Sequence, residues 1–314
     1  MAEVPTGLTM SKRTWKSYCK HADALLDMGR AEEALASAQK ALGLDIQQSE
    51  AWFEACRALL ALNRAEEALE HVDAGLPHRP DSSWGHRLRS TALSMLSRHT
   101  EALEEADEAL RLTPLEPLAM RRRARCLYSL DRDEEALAQV DEAIAEDPES
   151  HYGYGLRSAI TLYLKRFDEA EVAVRQGLEL SPGNVELLSR LGDILRKKGK
   201  NLEAMAAYRD AIRADPADAR PKKGMKAAGG GLREGRGLQP LIIVLCMLVA
   251  IIVMSLLMFV LPKWLIPFLF IGMLLGALFL GMWLNEKRLK ARINRFDAGL
   301  WDLWQRVEAE GGQD

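Results

Sequence analysis

The chain has 314 residues, of which 48% are hydrophobic and 28% charged, so it is long enough for more than one folded unit and has the composition of a globular protein. Residues 1–220 carry 30 Lys and Arg against 38 Asp and Glu (net −8), and residues 221–314 carry 12 against 7 (net +5), which together give the formal charge of −3. The acidic long region excludes nucleic acid as its main partner, because phosphate binding needs a basic surface.

Cysteine and histidine spacing gives no indication of a metal, redox or catalytic site. The four cysteines are far apart, and none of the six histidines pairs with a Glu or Cys in a metal-binding motif. No serine lies in a nucleophile elbow. The chain is therefore predicted to be no enzyme and to hold no cofactor and no metal.

After an N-terminal extension over residues 1–14, one motif recurs every 34 residues. It reads Arg-Ala-Glu-Glu-Ala-Leu at its clearest, and its six copies start at Arg30, Arg64, Arg98, Arg132, Arg166 and Lys200. Counting back from these copies gives blocks over residues 15–48, 49–82, 83–116, 117–150, 151–184 and 185–218. Each block predicts a helix, a turn near its fifteenth residue and a second helix, because five of the six blocks end in a proline that cannot continue a helix.

Small side chains occupy two fixed places in every block. The twentieth place holds Ala34, Ala68, Ala102, Ala136, Ala170 and Ala204, and the place seven residues later holds Ala41, Gly75, Ala109, Ala143, Gly177 and Ala211. Two small residues two turns apart share one helical face. We therefore expect neighbouring helices to approach closely along this face.

This pattern resembles the tetratricopeptide repeat family over about two thirds of the chain. In the sixth block the resemblance is carried by Leu188, Leu191, Gly192, Leu195, Ala204, Tyr208 and Pro216. It implies an all-α fold in which six helix-turn-helix repeats (15–218) form a right-handed superhelical solenoid. The concave groove of this solenoid is expected to bind a peptide of a partner protein and to catalyse no reaction.

The resemblance also implies which residues face the groove: Phe53, Arg57, Trp84, Arg87, Arg121, Arg125, Tyr128 and Tyr152. These side chains are basic and aromatic inside an acidic domain. They favour an acidic or C-terminal carboxylate segment as the ligand, held by arginines and apolar platforms. The alternative is a solvated basic helix face that neutralises nearby acidic motifs, formed by Arg121, Arg122, Arg123 and Arg125.

The region after the repeats changes character. Residues 219–240 are basic and glycine-rich, which predicts a flexible linker. Residues 241–261 and 265–284 contain no charged residue and are each long enough for a bilayer, so 241–284 predicts a transmembrane helical hairpin. Basic residues on both outer flanks of the hairpin predict an integral membrane protein with both termini on the cytoplasmic side. The compact hairpin is compatible with a location in the bacterial plasma membrane.

The C-terminal segment 285–314 predicts an amphipathic cytoplasmic helix. Its apolar stripe contains Leu289, Ile293, Phe296, Leu300, Leu303, Trp304 and Val307. The stripe could lie along the lipid bilayer or pair with a second copy of the chain.

Together these features predict a membrane-anchored adaptor that binds a cytosolic protein or peptide in the groove of its repeats. The alternative is a structural assembly protein that forms a homo-oligomer through the hairpin and the tail.

Overall fold

The computed structural model describes residues 14–234, 248–249, 252 and 266–310, and the regular elements in these ranges are all helical. The chain divides into two compact units, residues 1–164 and residues 165–314. The predicted all-α class is thus confirmed for the described residues, while most of the N-terminal extension lies outside them.

Unit 1 consists of helix pairs that follow the 34-residue period. Its helices are α1 (Trp15–Asp27), α2 (Ala31–Leu44), α3 (Ser49–Ala61), α4 (Ala65–Gly75), α5 (Ser83–Met95), α6 (His99–Leu112), α7 (Pro117–Ser129), α8 (Asp133–Glu146) and α9 (His151–Tyr163). Each second helix packs on its own first helix and on the first helix of the next pair. The first helices α1, α3, α5, α7 and α9 also contact one another in sequence, so they form one continuous layer.

The small residues of the repeat lie where the helices meet. All six alanines at the twentieth place have 0% exposure, and the residues seven places later are also buried. The expected close approach of neighbouring helices is therefore confirmed. A larger side chain at these places would separate the backbones and open gaps in a closely packed interior.

The turn inside each pair adopts a left-handed backbone conformation. The residue at the fifteenth place has a positive φ in every block, from 56° at Asp131 to 75° at Gly199. In the second block the amide of Arg64 donates to the carbonyl of Leu59 at 2.9 Å, across this residue. The chain thereby closes the first helix and reverses direction within a few residues.

Ion pairs replace aliphatic packing at three places in unit 1. Arg89, Arg123 and Arg157 occupy the same place in successive blocks, and each pairs with an aspartate 16 residues earlier at 2.6–2.7 Å. The aspartates are Asp73, Asp107 and Asp141 on α4, α6 and α8. These half-buried pairs tie each first helix to the second helix of the preceding pair.

One carboxylate is buried in the core of unit 1. Glu54 on α3 is 5% exposed, and its Oε2 lies 3.1 Å from Nη1 of Arg57, which also donates to Asp23 on α1. Burial raises the pKa of Glu54 to about 7, with Asp23 and Glu50 adding to the effect and Arg57 opposing it. The fold therefore favours the protonated form of this side chain.

Unit 2 continues the same pattern and then departs from it. Its helices are α10 (Phe167–Leu180), α11 (Val185–Lys197), α12 (Asn201–Ala214), α13 (Ala219–Glu234), α14 (Ile266–Phe296) and α15 (Leu300–Glu310). Helix α13 packs on α12 and α11. The prediction of a flexible linker over 219–240 is thus wrong for residues 219–234. Gly224 lets α13 approach Tyr208, whose ring occupies the space that a Cβ at this position would need.

Five of the seven residues of the apolar stripe of the C-terminal tail pack inside unit 2, while Leu303 is half-buried and Phe296 is 47% exposed. Leu289, Ile293, Leu300, Trp304 and Val307 are all at most 2% exposed, and α15 contacts α12, α13 and α14. The ring of Trp304 lies against Gly229 of α13, and Lys222 of α13 pairs with Glu310 at 3.0 Å. These five residues thus cover the last helices of the repeats, and neither a bilayer nor a second copy is needed to bury them.

The predicted membrane hairpin is not found. Within the described ranges, no helix is long and apolar enough to cross a membrane. Residues 266–284 belong to α14, which continues to Phe296 through a strongly charged segment. Residues 241–261 lie outside the described residues except for 248–249 and 252. The prediction of an integral membrane protein with two spans is therefore wrong.

The contact between Gly229 and Trp304 can be tested with a double-mutant cycle. Trp304→Ala should lower the unfolding free energy by about 3–5 kcal/mol. Gly229→Ala should destabilise the parent chain, because its Cβ would overlap the Trp304 ring. In the Trp304→Ala background the same change should stabilise the chain by up to about 1 kcal/mol through helix propensity.

The matched control is Gly230→Ala in the same helix, where a Cβ meets nothing within 4 Å. It should be neutral or stabilising in both backgrounds, measured by urea denaturation. Equal effects of Gly229→Ala in the two backgrounds would contradict the packing of α15 on α13.

Stability should also depend on pH through Glu54. The pKa of Glu54 is about 7 in the folded chain, above its ordinary value of 4.5. The contribution of the protonated Glu54 to the unfolding free energy is therefore complete below pH 4.5 and is lost as the pH rises through about 7. Glu54→Gln cannot ionise. The unfolding free energy of the variant relative to the parent should therefore rise between about pH 5 and pH 8, by up to about 3 kcal/mol.

Glu67→Gln is the control, because the pKa of the exposed Glu67 is lowered by its hydrogen bond from Arg64 and the group stays ionised over this range. Its effect should not change with pH. A Glu54→Gln effect that is as flat as the control would refute the buried carboxylate.

Candidate functional site

Four first helices of unit 1 enclose a groove of about 330 Å³. Its lining residues are Arg57 on α3; Trp84, Arg87, Leu88 and Thr91 on α5; Leu118, Arg121, Arg122 and Arg125 on α7; and Tyr152 and Leu156 on α9. We call this surface the arginine groove. Five of its eleven lining residues are arginines, and none is acidic.

The repeat register explains how these side chains come together. Trp84, Leu118 and Tyr152 are 34 residues apart and occupy the second place of consecutive blocks, while Arg87 and Arg121 share the fifth place. Because the first helices form one layer, the same place in successive blocks recurs along one surface. The groove therefore has an apolar row beside a row of arginines.

Six of the eight residues predicted for the groove do line it: Arg57, Trp84, Arg87, Arg121, Arg125 and Tyr152. Phe53 does not. It has 0% exposure, and its ring is so close to Gly75 and Gly85 that a Cβ at either glycine would lie within 2.9 Å of it. The prediction that Phe53 contacts a ligand is wrong, because its ring fills the core between α4 and α5.

Tyr128 is half-buried and does not line the groove. Its ring packs edge-on against Tyr163, with the centroids 5.6 Å apart. Sequence reasoning also missed lining residues, above all Arg122 and Leu118. Leu118 could have been found, since it occupies the same place as Trp84 and Tyr152. Arg122 occupies the sixth place of its block, which it shares with the lining residues Leu88 and Leu156, so this row of the groove could also have been found from the repeat register.

The groove arginines fall into two classes. Arg57, Arg87 and Arg121 each have acidic partners outside the lining: Arg57 pairs with Asp23 at 2.7 Å and Glu54 at 3.1 Å, Arg87 with Glu116 at 3.0 Å and Arg121 with Asp147 at 3.2 Å. Arg122 and Arg125 form no ion pair with any residue that the structure describes. Positive charge therefore exceeds negative charge along α7.

Burial and neighbouring positive charge lower the pKa of two groove arginines. Burial, together with the positive charges of Arg125 and Arg87, lowers the pKa of Arg122 to about 10. Burial also lowers the pKa of Arg87. An anion in the groove would relieve this repulsion.

The lining offers binding groups and few reactive ones. Among these eleven residues there is no carboxylate, thiol or imidazole that could act as a base or nucleophile. In the described ranges of the chain, no group of three or more His, Cys, Asp or Glu side chains is arranged to hold a metal ion. The groove is suited to hold an anionic group beside an apolar one.

The sequence and the structure can be compared with known proteins. Two family models, both described as tetratricopeptide repeat, match the chain, one over residues 25–90 and the other over residues 89–151 and 161–219. No curated protein matches the chain.

Several solved structures share the fold. The chain is 23% identical to a thermophilic TPR protein of Thermus thermophilus, covering 58% of this chain and 100% of that one with a TM-score of 0.56. For PilW, a widely conserved type IV pilus biogenesis factor, the identity is 16%, the coverage 67% and 97%, and the TM-score 0.57. A tetratricopeptide repeat protein from Parabacteroides merdae is 15% identical, and the match covers 70% of this chain and 91% of that one with a TM-score of 0.52.

At these identities the structural likeness concerns the fold alone. The family models together cover more than half of the 314 residues, and the helix pairs described above follow the period that these models describe. The chain therefore belongs to the tetratricopeptide repeat family.

Proposed function

We propose that this chain is a protein-interaction module that holds an acidic segment of a partner protein in the arginine groove. Tetratricopeptide repeat proteins mediate protein-protein interactions, which supports binding as the general role. The observation that carries the finer proposal is the lining, with five arginines and no acidic residue. Guanidinium groups form two parallel hydrogen bonds with a carboxylate, which gives both affinity and orientation.

Apolar groups in the groove supply the second part of the recognition. Leu118 is 49% exposed and Tyr152 is 66% exposed, although both are large apolar side chains. An apolar side chain of the partner would cover them and gain about 25 cal/mol for each Å² removed from water. The favoured ligand therefore combines acidic and apolar residues, and a purely acidic segment would leave this surface exposed.

The chain is proposed to bind its partner without transforming it. The repeat fold is typically a non-enzymatic scaffold, and the groove lining has no general base. The alternative of an assembly protein that self-associates through its tail is not favoured, because most of the apolar stripe of the tail is buried within unit 2.

Site-specific photocrosslinking in the native cell tests this proposal. A photoreactive phenylalanine analogue at position 118, in the groove, should crosslink to a partner whose crosslinked peptide is acidic. The same analogue at position 115 is the control, because Leu115 is 69% exposed but does not line the groove. Mass spectrometry of the crosslinked products identifies the bound segment.

Charge reversal provides the second arm of this experiment. Arg121→Glu with Arg125→Glu should remove the crosslink at position 118, because the acidic segment would then be repelled. Arg98→Glu with Arg132→Glu changes the net charge equally at exposed turns outside the groove and should leave the crosslink intact. Equal crosslinking at positions 115 and 118, or a crosslink that survives reversal in the groove, would contradict the proposal.

A further inference from the structure

We infer that Arg87, Arg122 and Arg125 form a subsite for a dianionic group within the arginine groove. This inference rests on the proposed function and deepens it, because it specifies the chemistry of the ligand. The dianion is either a phosphoryl group or two neighbouring carboxylates, since both present two negative charges on closely spaced oxygens.

The first argument is the location of unneutralised charge. Most arginines of unit 1 that the structure describes pair with an acidic side chain, including Arg57 and Arg121 in the groove itself. Arg122 and Arg125 are exceptions, and both lie on α7 and line the same groove. Two guanidinium groups with no internal counter-charge leave room for two negative charges from a ligand.

The second argument is an unused hydrogen-bond donor. The Nε of Arg87 is buried and has no acceptor, although the other end of its guanidinium pairs with Glu116 at 3.0 Å. A buried donor without an acceptor is costly, so it is rarely kept in a folded protein without a reason. An oxygen of a bound anion would satisfy this donor.

The third argument concerns the combined electrostatics. The pKa of Arg122 is lowered by burial and by the charges of Arg125 and Arg87, which indicates that the three groups repel one another. Arg87 already pairs with Glu116, so a single carboxylate held by the fork of Arg122 or Arg125 would leave the other without a counter-charge. A dianion matches the cluster better, as in the arginine clusters that recognise phosphorylated or acidic motifs.

The apolar row limits what can carry the dianion. Leu118 and Tyr152 line the same groove and are largely exposed. The ligand is therefore expected to carry an apolar or aromatic group next to its charges. Simple probes with this combination are phenyl phosphate, with one phosphoryl group, and phthalate, with two adjacent carboxylates on a ring.

The test measures the affinity of the full chain for phenyl phosphate, phthalate and benzoate at about pH 7.5, where a phosphate monoester with a second pKa of about 6 is mainly a dianion. Nuclear magnetic resonance detects binding through the Nε–Hε signal of Arg87. At least one dianion should bind about tenfold more tightly than benzoate, which has a single charge. Preference for phenyl phosphate indicates a phosphoryl ligand, and equal or stronger binding of phthalate indicates paired carboxylates.

Variants locate the site. Arg122→Gln and Arg125→Gln should each weaken dianion binding about tenfold and reduce the preference over benzoate. Arg125 is exposed, so its variant remains informative even if the half-buried Arg122 is needed for folding. Arg79→Gln is the control, because Arg79 is an exposed arginine outside the groove.

The inference is overturned if benzoate binds as tightly as both dianions, if none of the probes binds, or if Arg125→Gln and Arg79→Gln have the same effect. These outcomes are separate from the fate of the proposed function. A groove crosslink without dianion preference keeps the protein partner and rejects the subsite. Dianion binding without any crosslink at position 118 keeps the subsite and rejects the protein partner.

Discussion

The close contact between neighbouring helices at alanine and glycine is the constraint on which the rest of the structure depends. Every repeat has a small residue at its twentieth place and another seven residues later, and all are buried. Small side chains allow the backbones to approach, so within unit 1 each helix pair packs closely on the next. This regular stacking brings residues that are 34 positions apart in sequence into rows along one surface.

The same stacking assigns different roles to chemically identical arginines. Arg89, Arg123 and Arg157 point towards aspartates of the preceding pair and strengthen the contact between repeats. Arg122 and Arg125 are close sequence neighbours of Arg123, yet they lie in the groove without ion pairs to described residues. On a helix, positions one or two residues apart face different directions. The run of arginines in the fourth block therefore serves two surfaces: Arg123 is neutralised by Asp107, while Arg122 and Arg125 line the groove.

The end of unit 2 uses the same principle of close approach with different residues. Gly224 and Gly229 allow α13 to contact Tyr208 and Trp304, whose rings occupy the space that side chains would need. The last helix of a repeat array exposes an apolar face, because no further repeat covers it. In unit 2 the tail covers such a face with the buried part of its apolar stripe, including Trp304.

The sequence by itself determined the helix pairs and their turns, because these depend on a local pattern that recurs in six copies. The groove positions came from the resemblance to the tetratricopeptide repeat family, and six of the eight residues that it implied line the groove. The sequence could not determine that Phe53 is buried, because this depends on Gly75 and Gly85 of other helices. It also could not determine how the segment after the repeats and the tail pack. A glycine-rich segment looks the same in sequence whether it is a flexible linker or a helix in tight contact with its neighbours. An apolar stripe likewise has the same spacing whether lipid, a second copy of the chain or a neighbouring helix covers it. Only the tertiary structure identifies the surface that each stripe meets, since that depends on contacts between residues far apart in the chain.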